Sequence, residues 1–325
     1  MNLGNLGVIA SSIYKTSSGA TPQLKMIFNS TGNSLNFFVQ GSSNFTMTVE
    51  WGDGNKNEYA SSSSYQPTHS YASNGNYTAS TAFNSPELIN NLDISSNYGN
   101  NRLRDILGLE ALSGLTYLNL AGNIITNFNT RISELPSSIQ TLDLSYNSIT
   151  AFTPTSLPQG LNDLYLNNNL LTGFTPTIVF PQDFNNLYLN DNLITTYNPS
   201  FPIPSIQTLN LSYNLISNFT LYQPLPSDLQ VLDISYNSIS TFNPWLSGNP
   251  FPNSVSSIYL NNNSLNNTNI NNILINLSAT TNWTNPDTIT LFNQTGGGCL
   301  SSTTLGYSAY TSLVSSGWTI DVAIC

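Results

Sequence analysis

From Ile89 to Asn263 the apolar residues recur in one arrangement, L-x-x-L-x-L-x-x-N. Leu115, Leu118 and Leu120 precede Asn123; Ile139, Leu142 and Leu144 precede Asn147; Leu161, Leu164 and Leu166 precede Asn169. The same order ends at Asn192, Asn214, Asn237 and Asn263, and a degenerate first coil ends at Asn97, so the asparagines stand 22 to 26 residues apart. The second and third apolar positions alternate with polar ones, which is the period of a short strand with one face buried. A unit this short cannot bury its apolar side alone, so the period predicts coils stacked into a solenoid. Each Asn closes a strand where backbone groups lose their sheet partners. Its side chain both donates and accepts, which suits it to satisfy those groups from inside the turn.

A second ladder keeps the same register. Five residues after the asparagine stands Phe128, Phe152, Phe174, Tyr197, Phe219 or Phe242, which predicts an aromatic spine on the side of the coil away from the strands. Apolar-Pro steps at Leu135-Pro136, Leu157-Pro158, Phe180-Pro181, Ile203-Pro204, Leu225-Pro226 and Phe251-Pro252 lie shortly before the next strand. Proline lacks a donor and holds its predecessor extended, so the back of each coil is expected to be irregular or polyproline-like and not helical. The array resembles the short bacterial type of leucine-rich repeat over about residues 86–285. That resemblance implies about 8 coils whose strands form one parallel sheet.

The segment before the array reads differently. Leu35, Phe37, Val39 and then Phe45, Met47, Val49 alternate with polar residues, a turn follows at Trp51-Gly52-Asp53-Gly54, and His69-Ser70-Tyr71 precedes Gly75-x-Tyr77-Thr78. Short strands with Gly-rich turns predict a small antiparallel sandwich. These motifs resemble the PKD domain, an immunoglobulin-like module, with a turn and a chain shorter than that family's usual W-x-F-G-D-G form.

The ends of a solenoid expose apolar core and need covers. At the amino end Leu103, Ile106, Leu107 and Leu109 have helical spacing, which predicts a helix over Arg102–Leu112. At the carboxyl end Ile273, Leu274 and Leu277 predict a short helix, Ile289 and Leu291 a strand, Ala309–Val314 a helical turn, and Trp318, Ile320 and Val322 a final strand. The G-W-T-I ending resembles terminal caps on leucine-rich-repeat proteins of bacteria and their phages. The expected fold class is mostly β, with an N-terminal docking arm over 1–21, a PKD-like β-sandwich over 22–85, the leucine-rich-repeat solenoid over 86–285 and an α/β cap over 286–325. Cys299 and Cys325 both fall in the cap. Joined, they would close a loop of 27 residues, worth on the order of 3 kcal/mol; two buried free thiols are the alternative.

Charge narrows the range of partners. Only 7% of the 325 residues are charged, the net charge is -10, and the six basic residues (Lys15, Lys25, Lys56, Arg102, Arg104 and Arg131) all precede Ile132. Phosphate backbones are bound through Lys and Arg, so the array is expected to bind no nucleic acid. Anionic membranes are disfavoured for the same reason, and no apolar stretch is long enough for membrane insertion.

No catalytic constellation emerges. His69, the only histidine, has no motif-marked Ser or Cys partner and reads as a packing or hydrogen-bonding residue. Asp53 reads as a turn residue that bonds its own backbone. One His and two Cys give no zinc spacing, and Gly296-Gly297-Gly298 reads as a bend and not a phosphate loop. The expected protein is a non-enzyme with no cofactor and no metal; acids at repeat spacing leave a glycan hydrolase as a further alternative.

The candidate ligand-binding surface is the strand face. Tyr165, Tyr188 and Tyr259 are expected at the middle position of their strands, whereas Tyr146, Tyr213 and Tyr236 stand just before the ladder Asn. Where one site has Tyr the other has an acid or amide: Asp143 with Tyr146, Asn168 with Tyr165, Asp191 with Tyr188, Asn210 with Tyr213, Asp233 with Tyr236 and Asn262 with Tyr259. One reading is size compensation between bulky rings on strands about 4.8 Å apart. The other is a recognition face, in which Tyr supplies rigid amphipathic area and Asn or Asp adaptable polar contacts.

Adhesive modules imply a life outside the cell. Yet the start of the chain has no basic residue before Lys15 and only a broken apolar stretch, which predicts no secretory leader. A phage virion protein, made in the host cytoplasm and exposed after lysis, reconciles the two. The expected function is therefore a non-enzymatic virion surface protein, a capsid decoration or tail component. Its first 20 or so residues would dock onto other virion proteins or form a flexible terminus. Its repeat face would meet host-surface glycan or protein, with a homo-oligomer as one arrangement. A bacterial cell-surface adhesin is the alternative.

Overall fold

The computed structural model describes residues 23–30, 34–96, 101–199, 203, 205–221, 225–243 and 251–325; the expected docking arm, Asn97 and Pro204 lie outside the described residues. Six strands precede the array: Gln23–Ser30 (β1), Ser34–Asn36 (β2), Phe38–Glu50 (β3), Lys56–Tyr65 (β4), Thr68–Ser70 (β5) and Gly75–Phe83 (β6). The first coil adds Ile89–Asp93 (β7) and Asn101–Leu107 (β8). These strands are continuous with the solenoid sheet, in the order β7-β3-β6-β1-β8, with β4 on the other side of β3. β3 makes the junction: Phe38–Gly41 pairs with β7 and Met47–Glu50 with β6, both antiparallel.

β7 and β8 belong to the same coil. Leu103 donates its N–H to Asn123 Oδ1 at 2.8 Å and accepts from Ile124 N–H at 3.0 Å. In the next coil Ile125 makes the same pair of bonds, to Asn147 Oδ1 at 3.0 Å and from Ser148 N–H at 2.9 Å. The amino-terminal sheet thus leaves the first coil at its front strand and returns at its back strand, covering the open end. Leu24, Met26 and Phe28 of β1 and Phe45, Met47 and Val49 of β3 are buried in the core that results.

The helix expected over Arg102–Leu112 is therefore replaced by β8 and a short 3₁₀ turn at Leu109–Ala111. The reason is a β-bulge. Phe28 pairs with Leu103 but Ile27 pairs with Asp105, so Arg104 is an extra residue in the strand. The bulge turns both Leu103 and Ile106 inward although they are three residues apart, which imitates helical spacing in the sequence. Arg131, on the helical turn Asn129–Ile132 (α1), fastens this strand to the second coil. Its Nε and Nη2 donate to Asp105 at 3.0 and 2.9 Å, and its Nη1 donates to Glu134 at 2.7 Å. That turn is an exception to the non-helical backs expected of the coils.

The W-G-D-G turn packs as a polar and aromatic knot. Asp53 accepts the backbone N–H of Asn55 at 3.0 Å and lies 2.7 Å from His69 Nε2. The His69 ring stacks on Trp51 at 4.9 Å, and the Tyr71 hydroxyl donates to the Trp51 carbonyl at 2.9 Å. Gly52 has φ 81, and a Cβ there would meet the Thr78 carbonyl oxygen at 2.4 Å, so a side chain is excluded. His69 is a packed, hydrogen-bonded residue here, β2 and β5 form a separate two-stranded ladder, and Phe37 meets Trp51 edge-on.

In the array the strands are parallel and in register, so that Leu118, Leu142, Leu164, Leu187, Leu209, Leu232 and Ile258 form one buried ladder. The asparagines repeat one bonding scheme. Asn147 Nδ2 donates to the carbonyls of Leu120, Leu144 and Ser145 at 2.9, 3.1 and 3.1 Å. Each Asn thus satisfies its own turn and ties it to the preceding coil. Gln294 extends the ladder, donating to Leu260, Leu291 and Phe292 carbonyls at 3.0 to 3.2 Å and accepting from Leu265 N–H at 3.0 Å. On the opposite side the aromatic spine stacks from Phe152 through Phe174, Tyr197 and Phe219 to Phe242, with centroids 5.7 to 6.1 Å apart.

At the carboxyl end, helices Asn267–Ser278 (α2) and Leu305–Ser315 (α3) alternate with strands Thr288–Thr290 and Thr319–Asp321, which prolong the parallel sheet. Ile273, Leu274, Leu277, Leu313 and Trp318 are buried beneath them, as the expected cap requires. Cys299 and Cys325 are joined, with Cα atoms 5.8 Å apart. Replacing Cys325 by Ser is expected to lower stability by about 3 kcal/mol through the freed loop entropy. An unchanged denaturant midpoint under non-reducing conditions would show that the crosslink contributes nothing.

Candidate functional site

In the strands Thr141–Asp143, Asp163–Tyr165, Asn186–Tyr188, Thr208–Asn210 and Val231–Asp233 the middle residue is buried and its two neighbours are half-buried on the opposite, open face, whereas in Ser257–Tyr259 only Tyr259 is half-buried there. That face therefore carries two columns. Asp143, Tyr165, Tyr188, Asn210, Asp233 and Tyr259 all stand third in their strands, and each is the register partner of the next. The structure brings these six expected residues into one continuous column.

The other six are elsewhere. Tyr146, Asn168, Asp191, Tyr213, Tyr236 and Asn262 occupy the turn after the strand, every one left-handed with φ between 52 and 56. They form a rim beside the sheet and are not on its strands, which corrects their expected place on the strand face. Tyr146, Tyr213 and Tyr236 are 45%, 50% and 43% exposed there.

This geometry also replaces size compensation as the reason for the paired pattern. Rings in adjacent coils do not compete: Tyr165 and Tyr188 stack at 4.7 Å and 6°, and Tyr213 and Tyr236 at 4.1 Å and 8°. The alternation follows from two ways of closing one turn. In D-L-S-Y-N and its variants, Asp143, Asn210 and Asp233 accept the N–H of Ser145, Ser212 and Ser235 at 2.8 to 3.0 Å, an Asx-turn that holds the loop while Tyr takes the left-handed site. In Y-L-N-N-N and Y-L-N-D-N the strand residue is Tyr and has no such acceptor. There an Asn or Asp, the types that tolerate positive φ, takes the left-handed site.

Sequence reasoning missed the first column. Tyr117, Asp163 and Asn186 belong to it, and Asp93 and Asn119 extend the second column towards the amino end. Their sign in the sequence is the spacing, since residues i and i+2 of a strand share a face. Asn186 Nδ2 donates to Asp163 Oδ1 at 2.6 Å, and Asn119 Nδ2 to Asp93 Oδ2 at 3.2 Å. Burial, and then the carboxylates of Asp93 and Asp143, push the Tyr117 phenol above its ordinary value. Burial followed by Asp163 does the same for Tyr165 and Tyr188. Phenols and carboxylates on this face therefore lie within electrostatic reach of one another.

The face is polar and aromatic. Among the described residues no group of His, Cys, Asp and Glu is placed to hold a metal ion, and no helix is long and apolar enough to cross a membrane. Exposed Leu170, Leu193 and Leu215 follow the ladder asparagines in three successive coils and give the rim an apolar edge.

Comparison with known proteins bears on the array. The Leucine Rich Repeat family matches residues 138–159 and 228–250, one coil each. No curated protein matches the chain. A solved internalin (inlF) from Listeria monocytogenes str. 4b F2365 is similar over 73% of this chain and 87% of that one, at 18% identity and a TM-score of 0.21, a score at which the likeness carries no argument. The matched coils, the parallel sheet and the asparagine ladder make the array a leucine-rich-repeat solenoid.

Proposed function

We propose that this chain is a non-enzymatic surface protein of a phage virion, a capsid decoration or tail component, whose open strand face adheres to host-surface glycan or protein. The observation that carries the adhesion reading is the continuous half-exposed column from Asp143 to Tyr259, with stacked Tyr165 and Tyr188 within it. Tyr offers large contact area with few rotatable bonds, and Asn and Asp add hydrogen bonds, the composition of surfaces that bind by complementarity. The virion assignment is supported by an Asn- and Ser-rich chain with only 7% charged residues, a PKD-like motif set and a capped repeat array. Residues 1–21 are proposed as the segment that docks onto other virion proteins.

A bacterial cell-surface adhesin is the second reading, and the Cys299–Cys325 bond favours it, because disulfides persist in oxidising compartments. Quantitative protein composition of purified virions separates the two. The virion reading expects the chain at a fixed copy number per particle. Its absence from particles together with its presence on intact cells would establish the second.

A further inference from the structure

We propose that the open face from Asp93 to Tyr188 seats a basic protein segment, one Lys or Arg side chain lying over the Tyr165–Tyr188 stack between Asp143 and Asp163; the proposal rests on the reading of this face as a recognition surface. Three independent features lead there. The first is aromatic: half-buried Tyr165 and Tyr188 stack at 4.7 Å and 6°, which leaves the outer ring face of Tyr165 towards its register partner Asp143, and Tyr faces attract guanidinium and ammonium groups. The second is the placement of carboxylates. Asp143 is the register partner of Tyr165, and Asp163 shares the strand and face of Tyr165 two residues earlier. Asp163 is held by Asn186 at 2.6 Å, and Asp93 with Asn119 continues the acidic track towards Tyr117.

The third feature is charge complementarity. No Lys, Arg or His follows Arg131 in the chain, and Arg131 is itself engaged by Asp105 and Glu134. Among the described residues no ion pair forms on this face. A basic partner would supply the cations that the array itself lacks. A neutral glycan would meet the rings and the carboxylates through contact and hydrogen bonds alone, whereas an extended basic strand or loop adds charge pairing to both.

The test uses the full chain and two probes, a twelve-residue Arg-Ser repeat peptide and the same peptide with citrulline for Arg. Saturable binding of the Arg peptide alone is expected. It should weaken about tenfold or more in D143N/D163N and in Y165A/Y188A, and fall as salt rises. The variant D183N/D228N removes the same charge from exposed sites off the strand face and should change affinity by less than ~twofold. Absence of Arg-peptide binding overturns the proposal, as does an equal loss from D183N/D228N, which would reduce the effect to net charge. Preferential binding of a neutral glucose hexasaccharide, lost in Y165A/Y188A, also overturns it while leaving the recognition face intact. Host attachment that ignores these tyrosines altogether would instead remove the reading beneath it.

Discussion

Replacing Asn192 by Ala is expected to destabilise the solenoid by about 3 to 5 kcal/mol, since each buried polar group left without a partner costs roughly 1 to 3 kcal/mol. Asn192 is 6% exposed. Its Nδ2 donates to the carbonyls of Leu166, Leu189 and Asn190 at 2.9, 3.0 and 3.3 Å, and its Oδ1 accepts the N–H of Leu171 at 3.0 Å. Alanine leaves that N–H with no acceptor and the carbonyls without this donor, in a turn that water does not reach. Asn192→Asp keeps the shape but turns an acceptor towards three carbonyls. Burial raises the carboxyl's folded pKa, so its deficit should be smallest in acid and grow as pH rises through that value. Denaturant unfolding gives the size, and hydrogen exchange at Leu171 gives the place. A loss below ~1 kcal/mol would contradict a structural role for the ladder.

Phe174→Ala should cost a comparable amount, about 3 to 5 kcal/mol, the range for deleting a buried ring that its neighbours cannot replace. Phe174 is fully buried and lies 5.8 Å from Phe152 and 5.9 Å from Tyr197, so its loss opens a gap between coils at mid-array. Coils in a solenoid are held mainly by their immediate neighbours, so the damage should be local and should lower cooperativity as well as the midpoint. Leu215 is 52% exposed, and Leu215→Ala should stay within about 0.5 kcal/mol. If the two variants unfold alike, the spine is not what binds the coils together.

The array was legible because each of its coils solves the same problem with the same residues. Leu at period two buries one face of a strand, and a buried Asn must satisfy a turn that nothing else reaches. The cap at the carboxyl end was legible for a similar reason, since its helices and strands keep their periods. The amino end was not. There the bulge at Arg104 gave a strand the spacing of a helix, and only the pairing of Ile27 and Phe28 shows it. Gln294 escaped notice because it does an asparagine's work with one more methylene. At the candidate face the tyrosines were visible, but the backbone conformation that separates Tyr165 from Tyr146 was not. Both patterns obey the Asn ladder, and a left-handed turn is a property of φ that residue type only biases.

If the proposed adhesion runs through the open strand face, attachment to host cells must depend on its tyrosines. Tyr165, Tyr188 and Tyr259 are replaced together by Ala in the full chain. Because these side chains are half-buried on the open face and not in the core, the fold should survive, as a near-unchanged melting profile would confirm. Attachment of particles or cells bearing the variant is expected to fall by roughly tenfold or more, as for the loss of aromatic anchors from an interface. Attachment equal to that of the unaltered chain would contradict the claim.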